Sequence, residues 1–449
     1  MRLSVRGGEQ TSPPAVERLA RRVVHPLVGL DTRVGFVLRG RGEPRFAVAG
    51  GQLSAVHQLL GQDEAGAYHI GGVGLTRHEA LVRTLGESVE RYCQLVAVAT
   101  GTVGVRVAHR AELLAEGRPF VDPCGLSLFT AAQLERPGFR FDPPDPDAPY
   151  GWVEMQHVPD GDTVLVPAQL AVVGYTPHRG RGEPWLAPAV TTGTATHATR
   201  TAARRGALLE LIQIDTAMGH WYGPATAPRI LPGARLAALG RLLRRHIGPH
   251  VDVTLHALRS PDLPAHTIAC LLRQPGGRRP VAAVGLGCEL RLAEAAYKAV
   301  LEAVGVLQLA KIAMAEGAVA GERVGVVDDE SAIWDLDSNV AHYADGGGAD
   351  VLAAKFPVDE TVEEDELPPD VTGPSDDVVA SLFEHLLDRG IALYERDFTT
   401  VDVADLGLVT HRVWTPDLLP LAMPSAPMLA HPRYEAHGGG VSERPHPYP

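Results

Sequence analysis

Apolar residues recur at helical spacing in a segment that opens with a helix-capping signal. They are Leu81, Leu85, Val89, Tyr92 and Val96. Because an α-helix turns once every 3.6 residues, side chains at this spacing lie on one face. Thr76, with Glu79 three residues later, has the pattern of a capping box. The pattern predicts an amphipathic helix over residues 76–98.

Helix and strand signals alternate along the rest of the chain. Apolar spacing predicts helices over residues 111–116, 131–134, 199–216, 235–246, 291–316 and 378–389, with Gly317 ending the fifth. Alternation predicts strands over residues 34–38, 45–48, 152–157, 163–173, 251–257, 266–272, 281–285 and 391–394. Because the elements are interspersed without strict βαβ alternation, the sequence predicts an α+β (mixed α/β) fold.

A short motif occurs in three of the predicted helices. Glu87, Glu210 and Glu302 each follow two small or apolar residues inside a helix of similar length. This similarity favours duplicated units, each carrying one long helix.

The charge of the chain is concentrated in one stretch. The 449 residues carry a formal net charge of −13, and ten acidic residues with one lysine lie between Asp350 and Asp377. Phosphate neutralisation needs a basic surface, so this balance argues against a nucleic-acid partner. The acidic stretch 344–377 is predicted to be a solvated loop, and the Pro-rich tail 431–449 to be extended. Both are expected to belong to a single domain over residues 1–449.

The cysteines and apolar runs indicate a reducing compartment and no membrane anchor. Cys93, Cys124, Cys270 and Cys288 form no C-x-x-C pair and lie near no histidine at zinc spacing. Cys93 and Cys270 lie in apolar runs and are predicted to be buried thiols. The first ten residues lack the apolar core of a signal peptide, and the apolar stretch 164–175 is too short to span a bilayer. We expect a cytoplasmic protein without a membrane partner.

The first predicted helix carries a candidate metal site. Glu87 and Glu90 lie three residues apart on one face, and Arg91 follows four residues after Glu87. Two carboxylates at this spacing can converge on a divalent cation, and Mg²⁺ prefers oxygen ligands. A Glu–Arg ion pair on the protein surface also explains the same spacing. Spacing alone favours the surface pair over the metal site.

Several other candidate groups each allow both a functional and a structural interpretation. Glu210, Gln213 and Asp215 repeat the pattern less regularly, and Glu302 stands among apolar residues, where it is either exposed or buried with a partner. Gly71-Gly72-Val73-Gly74 precedes a helix and either approaches a phosphate or forms a plain turn.

The last residues form an unusual pattern. Pro445, Pro447 and Pro449 occupy every second position up to the end of the given sequence. Alternating prolines favour a stiff extended segment, which could deliver the terminal carboxylate to a fixed place. A disordered terminus is the other interpretation.

The chain resembles the YcaO proteins, and within them the azoline-forming cyclodehydratases, from about Val24 to Pro449. The matching blocks are Gly72-Val73-Gly74-Leu75-Thr76 with Leu85-Gly86-Glu87-Ser88-Val89-Glu90-Arg91-Tyr92, Trp152-Val153 through Val166-Pro167-Ala168 to Tyr175, Ala207 to Asp215, and Gly285-Leu286-Gly287 leading to Ala299 through Glu302. The closing Pro-x-Pro-x-Pro is similar to the tail of the azoline-forming branch. The resemblance implies a YcaO fold with repeated helix-on-sheet units around a nucleotide pocket.

The resemblance also implies an activity. The side chain of Cys, Ser or Thr in a ribosomal precursor peptide attacks the preceding amide carbon. ATP phosphorylates the oxygen of the adduct, which leaves as phosphate to give a thiazoline or oxazoline. ATP and Mg²⁺ are the implied cofactors.

Particular residues match the family's functional positions. The implied magnesium ligands are Glu87, Glu90, Glu210 and Glu302. The implied nucleotide-binding set adds Arg83, Arg91 and Gln213 to these four. The terminal carboxylate at Pro449, delivered by Pro445 and Pro447, is expected to act in proton transfer, so these three prolines are the predicted catalytic residues.

Several positions depart from the family pattern. Arg83 stands in place of a serine, Gln213 and Ile214 replace a Glu-Arg pair, and Thr192 stands where an asparagine is expected. The glutamine expected at position 305 or 306 is absent, and Gln308 comes later. The losses remove one metal ligand and one phosphate donor. Arg83 either compensates for them or fills the pocket.

Three functional hypotheses follow. The first is an active cyclodehydratase that acts with a ThiF-like or winged-helix leader-peptide-recognition protein, because no leader-binding domain is evident in the chain. A flavin-dependent dehydrogenase and a homodimer are further partners that the resemblance allows. The second is a non-catalytic subunit that binds the precursor or scaffolds the complex. The third is an altered nucleophile, as in thioamide or amidine formation, against which the Pro-rich tail argues.

Overall fold

Three long helices, each packed on a β-sheet, build the fold. The computed structural model describes residues 14–54, 56–59, 70–276, 278–321, 325, 327–440 and 442–448. Its α-helices are α1 Pro14–Val23, α2 Val56–Leu59, α3 Arg77–Val96, α4 Arg110–Ala115, α5 Ala131–Leu134, α6 Ala168–Ala171, α7 Arg200–Tyr222, α8 Ala237–His246, α9 Leu292–Ala320, α10 Leu336–Ala344, α11 Ala349–Lys355, α12 Ser375–Leu387 and α13 Val401–Ala404. Short 3₁₀ helices are Pro123–Gly125, Arg179–Arg181, Glu330–Ala332, Glu364–Glu366 and Pro432–Glu435.

The strands form three sheets. They are β1 Asp31–Phe36, β2 Ala47–Leu53, β3 Ile70–Gly74, β4 Val105–His109, β5 Pro149–His157, β6 Thr163–Pro167, β7 Thr194–His197, β8 Arg229–Leu231, β9 Asp252–Leu258, β10 His266–Arg273, β11 Ala282–Glu289, β12 Thr361–Glu363, β13 Tyr394–Asp397 and β14 Val409–Trp414. The sheet orders are β1-β2-β3, β11-β10-β9-β8-β12 and β4-β5-β13-β14-β7, with β6 paired to β5. The mixture of helices and sheets confirms the predicted fold class.

The first unit packs α3 on β2 and β3. Thr76 caps the helix as predicted, because its hydroxyl accepts the N–H of Glu79 at 3.1 Å. The carboxylate of Glu79 accepts the N–H of Leu75 instead of that of Thr76. Gly72 lets strand and helix approach closely, since a Cβ there would lie 2.3 Å from the carbonyl oxygen of Ala80. The segment Gly71–Gly74 is therefore a strand under a helix and not a plain turn, while its approach to a phosphate stays a prediction.

The other two units follow the same plan. Helix α9 packs on β11 and β10, whose residues are nearly all buried, and α7 packs on β7 and β14. Gly285 takes the role of Gly72, because a Cβ on it would lie 2.0 Å from the backbone nitrogen of Ala303 on α9. The duplicated helix-bearing units predicted from the sequence are thus present in the fold.

Some predicted boundaries are wrong. Helix α9 continues through Gly317 and ends at Gly321, whose φ of 74° is left-handed. The strand predicted over residues 163–173 stops at Pro167, and α6 follows it. The strand predicted over residues 391–394 begins at Tyr394, where β13 pairs with β14 and β5.

The acidic stretch 344–377 is not a solvated loop. It contains α11, β12 and a 3₁₀ turn, and β12 adds a parallel strand beside β8. Leu352, Phe356 and Leu367 are buried and anchor the stretch to the apolar core. Its many carboxylates concealed these few apolar anchors in the sequence pattern.

The chain's last described residues are buried, which contradicts the disordered alternative. Residues 445–448 are all buried. The indole N–H of Trp221 donates to the carbonyl oxygen of Arg444 at 2.9 Å, and Nε2 of His446 donates to that of Ala422 at 2.8 Å. Arg444 forms an ion pair with Glu330 at 2.6 Å. The tail is therefore a packed part of the fold.

Among the described helices, none combines the length and the apolar character needed to cross a bilayer. All four cysteines are free thiols, and Cys93 and Cys270 are buried as predicted. Cys288 is also buried, whereas Cys124 is exposed.

Candidate active site

A cavity of about 840 Å³ lies where the three long helices meet. Strands β2, β3 and β7 and helices α3, α7 and α9 contribute its walls. The predicted site residues that line it are Arg83, Glu87, Glu90, Gln213 and Glu302. Arg91 and Glu210 are not in the lining but act electrostatically on the carboxylates that are. The structure therefore brings the predicted nucleotide-binding residues together around one cavity.

Three glutamates are held by the same kind of hydrogen bond. Glu87 accepts the backbone N–H of Gly71 at 3.0 Å, sixteen residues earlier. Glu210 accepts the N–H of Gly193 at 3.1 Å, seventeen residues earlier, and Glu302 accepts that of Leu286 at 3.1 Å, sixteen residues earlier. Each unit thus fixes the glutamate of its long helix to the backbone of the preceding strand segment.

Glu90 links two units. Its carboxylate on α3 accepts the N–H of Thr196 on β7 at 3.1 Å. Glu87, one turn earlier, forms an ion pair with Arg91 at 3.7 Å. The i,i+3 glutamates therefore face the same cavity, and the Glu87–Arg91 pair of the alternative interpretation is also present.

Burial and mutual repulsion disfavour the charged forms of these carboxyls. Burial raises the pKa of Glu90 well above its ordinary value, and the neighbouring carboxylates of Glu210 and Glu87 raise it further. Burial raises the pKa of Glu210 to about 7 and that of Glu302 to about 8. Such a cluster gains from a bound cation, which stabilises its charged forms.

The donor set fits Mg²⁺ chemically. Carboxylate oxygens are hard ligands, and Mg²⁺ commonly takes one or two of them with substrate phosphates. Across the part of the chain that the structure describes, no three acidic, histidine or cysteine side chains are already grouped to hold a metal ion. The magnesium-ligand set Glu87, Glu90, Glu210 and Glu302 therefore stays a prediction. The first two and Glu302 line the cavity, whereas Glu210 lies outside its lining.

Arg412 was not among the predicted site residues. It lies on β14, is 1% exposed, and donates to the carbonyl oxygen of Val190 at 3.0 Å and to the hydroxyl of Thr194 at 2.9 Å. Its charge lowers the pKa of Glu210, and burial lowers its own pKa to about 10. Strand β14 reads Val-Thr-His-Arg-Val-Trp, so its sequence carries no clear signal that Arg412 is buried.

Three residues that mark departures from the family pattern, Arg83, Gln213 and Gln308, line the cavity. Arg83 forms an ion pair with Glu79 at 3.1 Å, and the hydroxyl of Tyr297 donates to the same carboxylate at 2.9 Å. Gln308 lines the cavity and donates to Glu43 at 3.1 Å. Gln213 lines it as well, whereas Ile214 is buried. Arg83 is thus held at the wall of the cavity by its partner Glu79.

The tail packs against helix α7, which carries Glu210. Pro445 and Pro447 are buried, whereas Pro449 lies outside the described residues. The ring of Tyr448 lies 6.1 Å from that of Trp221 on α7. Burial raises the pKa of Tyr448, and the charge of Glu302 raises it further. The catalytic role of Pro445, Pro447 and Pro449 stays a prediction.

Solved structures share the fold of this chain. A heterocyclase solved in complex with substrate and cofactor is 18% identical, with a TM-score of 0.73, over 100% of this chain and 59% of the heterocyclase. YcaO from Methanopyrus kandleri, bound with AMPPCP and Mg²⁺, is 19% identical, with a TM-score of 0.59, over 96% of this chain and 93% of that one. A chain of the E. coli microcin synthetase McbBCD complex with pro-MccB17 bound is 12% identical, with a TM-score of 0.59. The match covers 95% of this chain and 99% of that one.

The comparison with protein families identifies the chain more directly. No curated protein matches it by sequence. The family described as YcaO cyclodehydratase, ATP- and Mg²⁺-binding, matches residues 71–419, a range that includes α3, α7 and α9 with their glutamates. The chain belongs to the YcaO family.

Proposed function

We propose that the chain is an ATP- and Mg²⁺-dependent cyclodehydratase. It converts Cys, Ser or Thr of a ribosomal precursor peptide into a thiazoline or oxazoline. The observation that carries the proposal is the set of three glutamates, one from each unit and each held by a backbone N–H, of which Glu87 and Glu302 line one cavity. The family match supports the same activity.

Different residues of the chain would bind the metal ion and the phosphates. Glu87, Glu90, Glu210 and Glu302 would hold Mg²⁺, and Arg91 would lie beside the phosphates. When bound, Mg²⁺–ATP supplies the phosphoryl group that makes the amide oxygen a good leaving group. The backbone N–H groups that hold the glutamates keep these carboxylates in place before the nucleotide arrives.

The tail supplies the second part of the proposal. Ring closure releases the proton of the attacking side chain and the amide proton, so a base is needed near the adduct. The carboxylate of Pro449 is the proposed base. Tyr448, the residue before Pro449, is buried, and the charge of Glu302 raises its pKa. This supports a position of the tail end near Glu302.

A direct assay tests the activity. The chain is incubated with Mg²⁺, ATP and a synthetic cysteine-containing peptide, and the peptide is analysed by mass spectrometry. We expect loss of the mass of one water per ring, dependent on ATP, with ADP and phosphate as co-products. Glu87→Ala should abolish the product, whereas Glu294→Ala, at an exposed position on α9, should not. Undiminished ring formation by Glu87→Ala would contradict the proposal.

A second candidate is a non-catalytic subunit that binds or scaffolds. Gln213 and Ile214 in place of a Glu-Arg pair favour it, as does the absence of the glutamine expected at position 305 or 306. ATP turnover by the purified chain, lost in Glu210→Ala, would exclude this candidate. A folded chain without nucleotide binding would support it.

The proposed enzyme acts with other proteins. A ThiF-like or winged-helix protein would recognise the leader peptide, and a flavin-dependent dehydrogenase would oxidise azolines to azoles. A structural neighbour in a multiprotein synthetase complex supports an assembly of this kind. We also propose a homodimer and a cytoplasmic location, which size-exclusion chromatography and cell fractionation would test.

A further inference from the structure

An arginine-rich surface lies apart from the residues assigned so far. Residues 39–45, 237–252 and 273–279 hold nine arginines and two carboxylates, Glu43 and Asp252, although the whole chain has a net charge of −13. Several of these arginines are exposed and form no ion pair with any residue that the structure describes. Six of them, which we call the arginine surface, are Arg41, Arg45, Arg241, Arg244, Arg245 and Arg278.

Hydrogen bonds join the three segments of the arginine surface. The backbone N–H of Arg45 donates to the carbonyl oxygen of His246 at 2.6 Å, and Nδ1 of His246 donates to that of Arg45 at 2.8 Å. Nη2 of Arg278 donates to the carbonyl oxygen of Arg41 at 3.1 Å. Leu239 and its apolar neighbours on α8 pack on the core, so the arginines of this helix face solvent. The six guanidinium groups therefore belong to one continuous face.

The two carboxylates of these segments have basic neighbours of their own. Glu43 forms an ion pair with Lys311 at 3.0 Å and accepts the side-chain amide of Gln308 at 3.1 Å. Asp252 lies opposite Arg273 in the register of β9 and β10. The arginine surface therefore keeps a positive charge that a bound anion would offset.

The arginine surface borders the opening of the cavity around the glutamates. Ile312 lines this cavity and is 40% exposed, so the cavity meets solvent there. Lys311, the residue before it, donates to Glu43 at 3.0 Å and to the carbonyl oxygen of Leu38 at 3.4 Å. Val37, at the start of the same loop, also lines the cavity. A ligand that enters the cavity at Ile312 thus passes beside the arginines.

The placement of the charge selects the kind of anion. The lining of the cavity includes none of the six arginines, so a nucleotide held inside it does not reach them. A nucleic acid extends far beyond one patch and would meet the rest of this strongly acidic chain. Carboxylate side chains suit the patch, because a guanidinium group binds a carboxylate through two parallel hydrogen bonds.

We propose that the arginine surface binds an acidic segment of the precursor peptide, away from the residue that is modified. The acidic side chains lie on the arginines while the modified residue enters the cavity beside Ile312. The inference rests on the proposed function and adds a substrate preference. The negative charge of the remaining surface repels the same segment and so directs it to this face.

Fluorescence anisotropy with two labelled peptides tests the surface. The peptides carry Glu-Asp-Glu-Asp or the neutral Gln-Asn-Gln-Asn, each joined by the same Gly-Ser linker to one cysteine. We expect the natural chain to bind the acidic peptide more tightly, with an affinity that falls as NaCl is raised, because salt screens exposed charges. The double variant Arg244→Gln with Arg245→Gln should weaken this binding about fivefold, because two exposed charge contacts are lost.

A matched variant controls for net charge. Arg259→Gln with Arg389→Gln removes the same charge at two exposed positions outside the arginine surface and should leave the affinity unchanged. The loop variant Arg41→Gln with Arg45→Gln should reproduce the effect of the helix variant. Circular dichroism and a melting curve show that each variant is folded. Mg²⁺–ATP affinity should be the same in all of them.

Several results would overturn the inference. These are equal affinity for the two peptides, equal effects of the test and control variants, or natural affinity in both test variants. A matching loss of Mg²⁺–ATP affinity would assign the surface to the nucleotide instead. Tighter binding of a DNA oligonucleotide, lost in the helix variant, would assign it to nucleic acid. Because no arm measures azolines, failure here is distinct from failure of the proposed activity, which water loss from the peptide reports.

Discussion

Replacing Glu302 by glutamine should stabilise the nucleotide-free protein while removing its ligand affinity. The carboxyl has a pKa of about 8 instead of the ordinary 4.5. At about 1.36 kcal/mol per pH unit, this shift costs the folded protein about 3 kcal/mol at pH 7. Glutamine keeps an oxygen for the N–H of Leu286 and carries no titratable proton. We therefore expect Glu302→Gln to be more stable by about 2–3 kcal/mol at pH 7, in the absence of Mg²⁺.

The size of the effect depends on pH. Because the folded-state pKa of Glu302 is raised, its stabilising contribution is complete below pH 4.5 and is lost as the pH rises through about 8. The stability difference between the variant and the natural protein should therefore be small near pH 4.5 and grow up to about pH 8. A bound cation should make the natural protein the more stable of the two, because the cation stabilises the carboxylate of Glu302 and has no equivalent ligand in glutamine.

Urea unfolding in chelator at pH 5, 7 and 8.5 measures the difference. Glu294→Gln is the matched control, since Glu294 is exposed on the same helix and pairs with Arg291 at 2.8 Å. The control should change stability by less than about 0.5 kcal/mol at each pH. A Glu302→Gln variant that is less stable at pH 7, or a difference independent of pH, would refute the reasoning.

Three further predictions concern buried groups and close packing. Burial raises the pKa of Asp31 to about 6, so Asp31→Asn should stabilise the protein by about 3 kcal/mol at pH 8 and by about half as much at pH 5. Urea unfolding at both pH values checks this. Arg433→Met should cost about 3–5 kcal/mol of unfolding free energy by leaving buried Asp215 without its guanidinium. Gly72→Ala should lower the melting temperature strongly, whereas Gly71→Ala, whose Cβ would lie 3.5 Å from its nearest neighbour, should not.

Local signals predicted the elements that hold the site. Thr76 and the apolar positions that follow it were sufficient to predict α3, because capping and periodicity are properties of neighbouring residues. The small-apolar motif before Glu87, Glu210 and Glu302 predicted the repeated units correctly. The fold class and the family are confirmed.

Features that depend on tertiary contact were not predictable in this way. Arg412 acts on Glu90 and Glu210 across elements far apart in sequence, and no spacing rule connects them. The strand β12 was concealed because its acidic surroundings dominate the composition, although pairing with β8 decides its structure. Gly317 has the identity of a helix cap, but the helix continues because the true left-handed position is Gly321.

Titration calorimetry with Mg²⁺–ATP tests the central claim most directly, since the cavity around the glutamates is proposed to hold this ligand. Glu87→Ala and Glu90→Ala are the test variants, and Glu294→Ala is the control. The account predicts saturable binding to the natural chain and the control, and loss of binding in both test variants. No binding to a folded natural chain, alone and with its recognition partner, would contradict it.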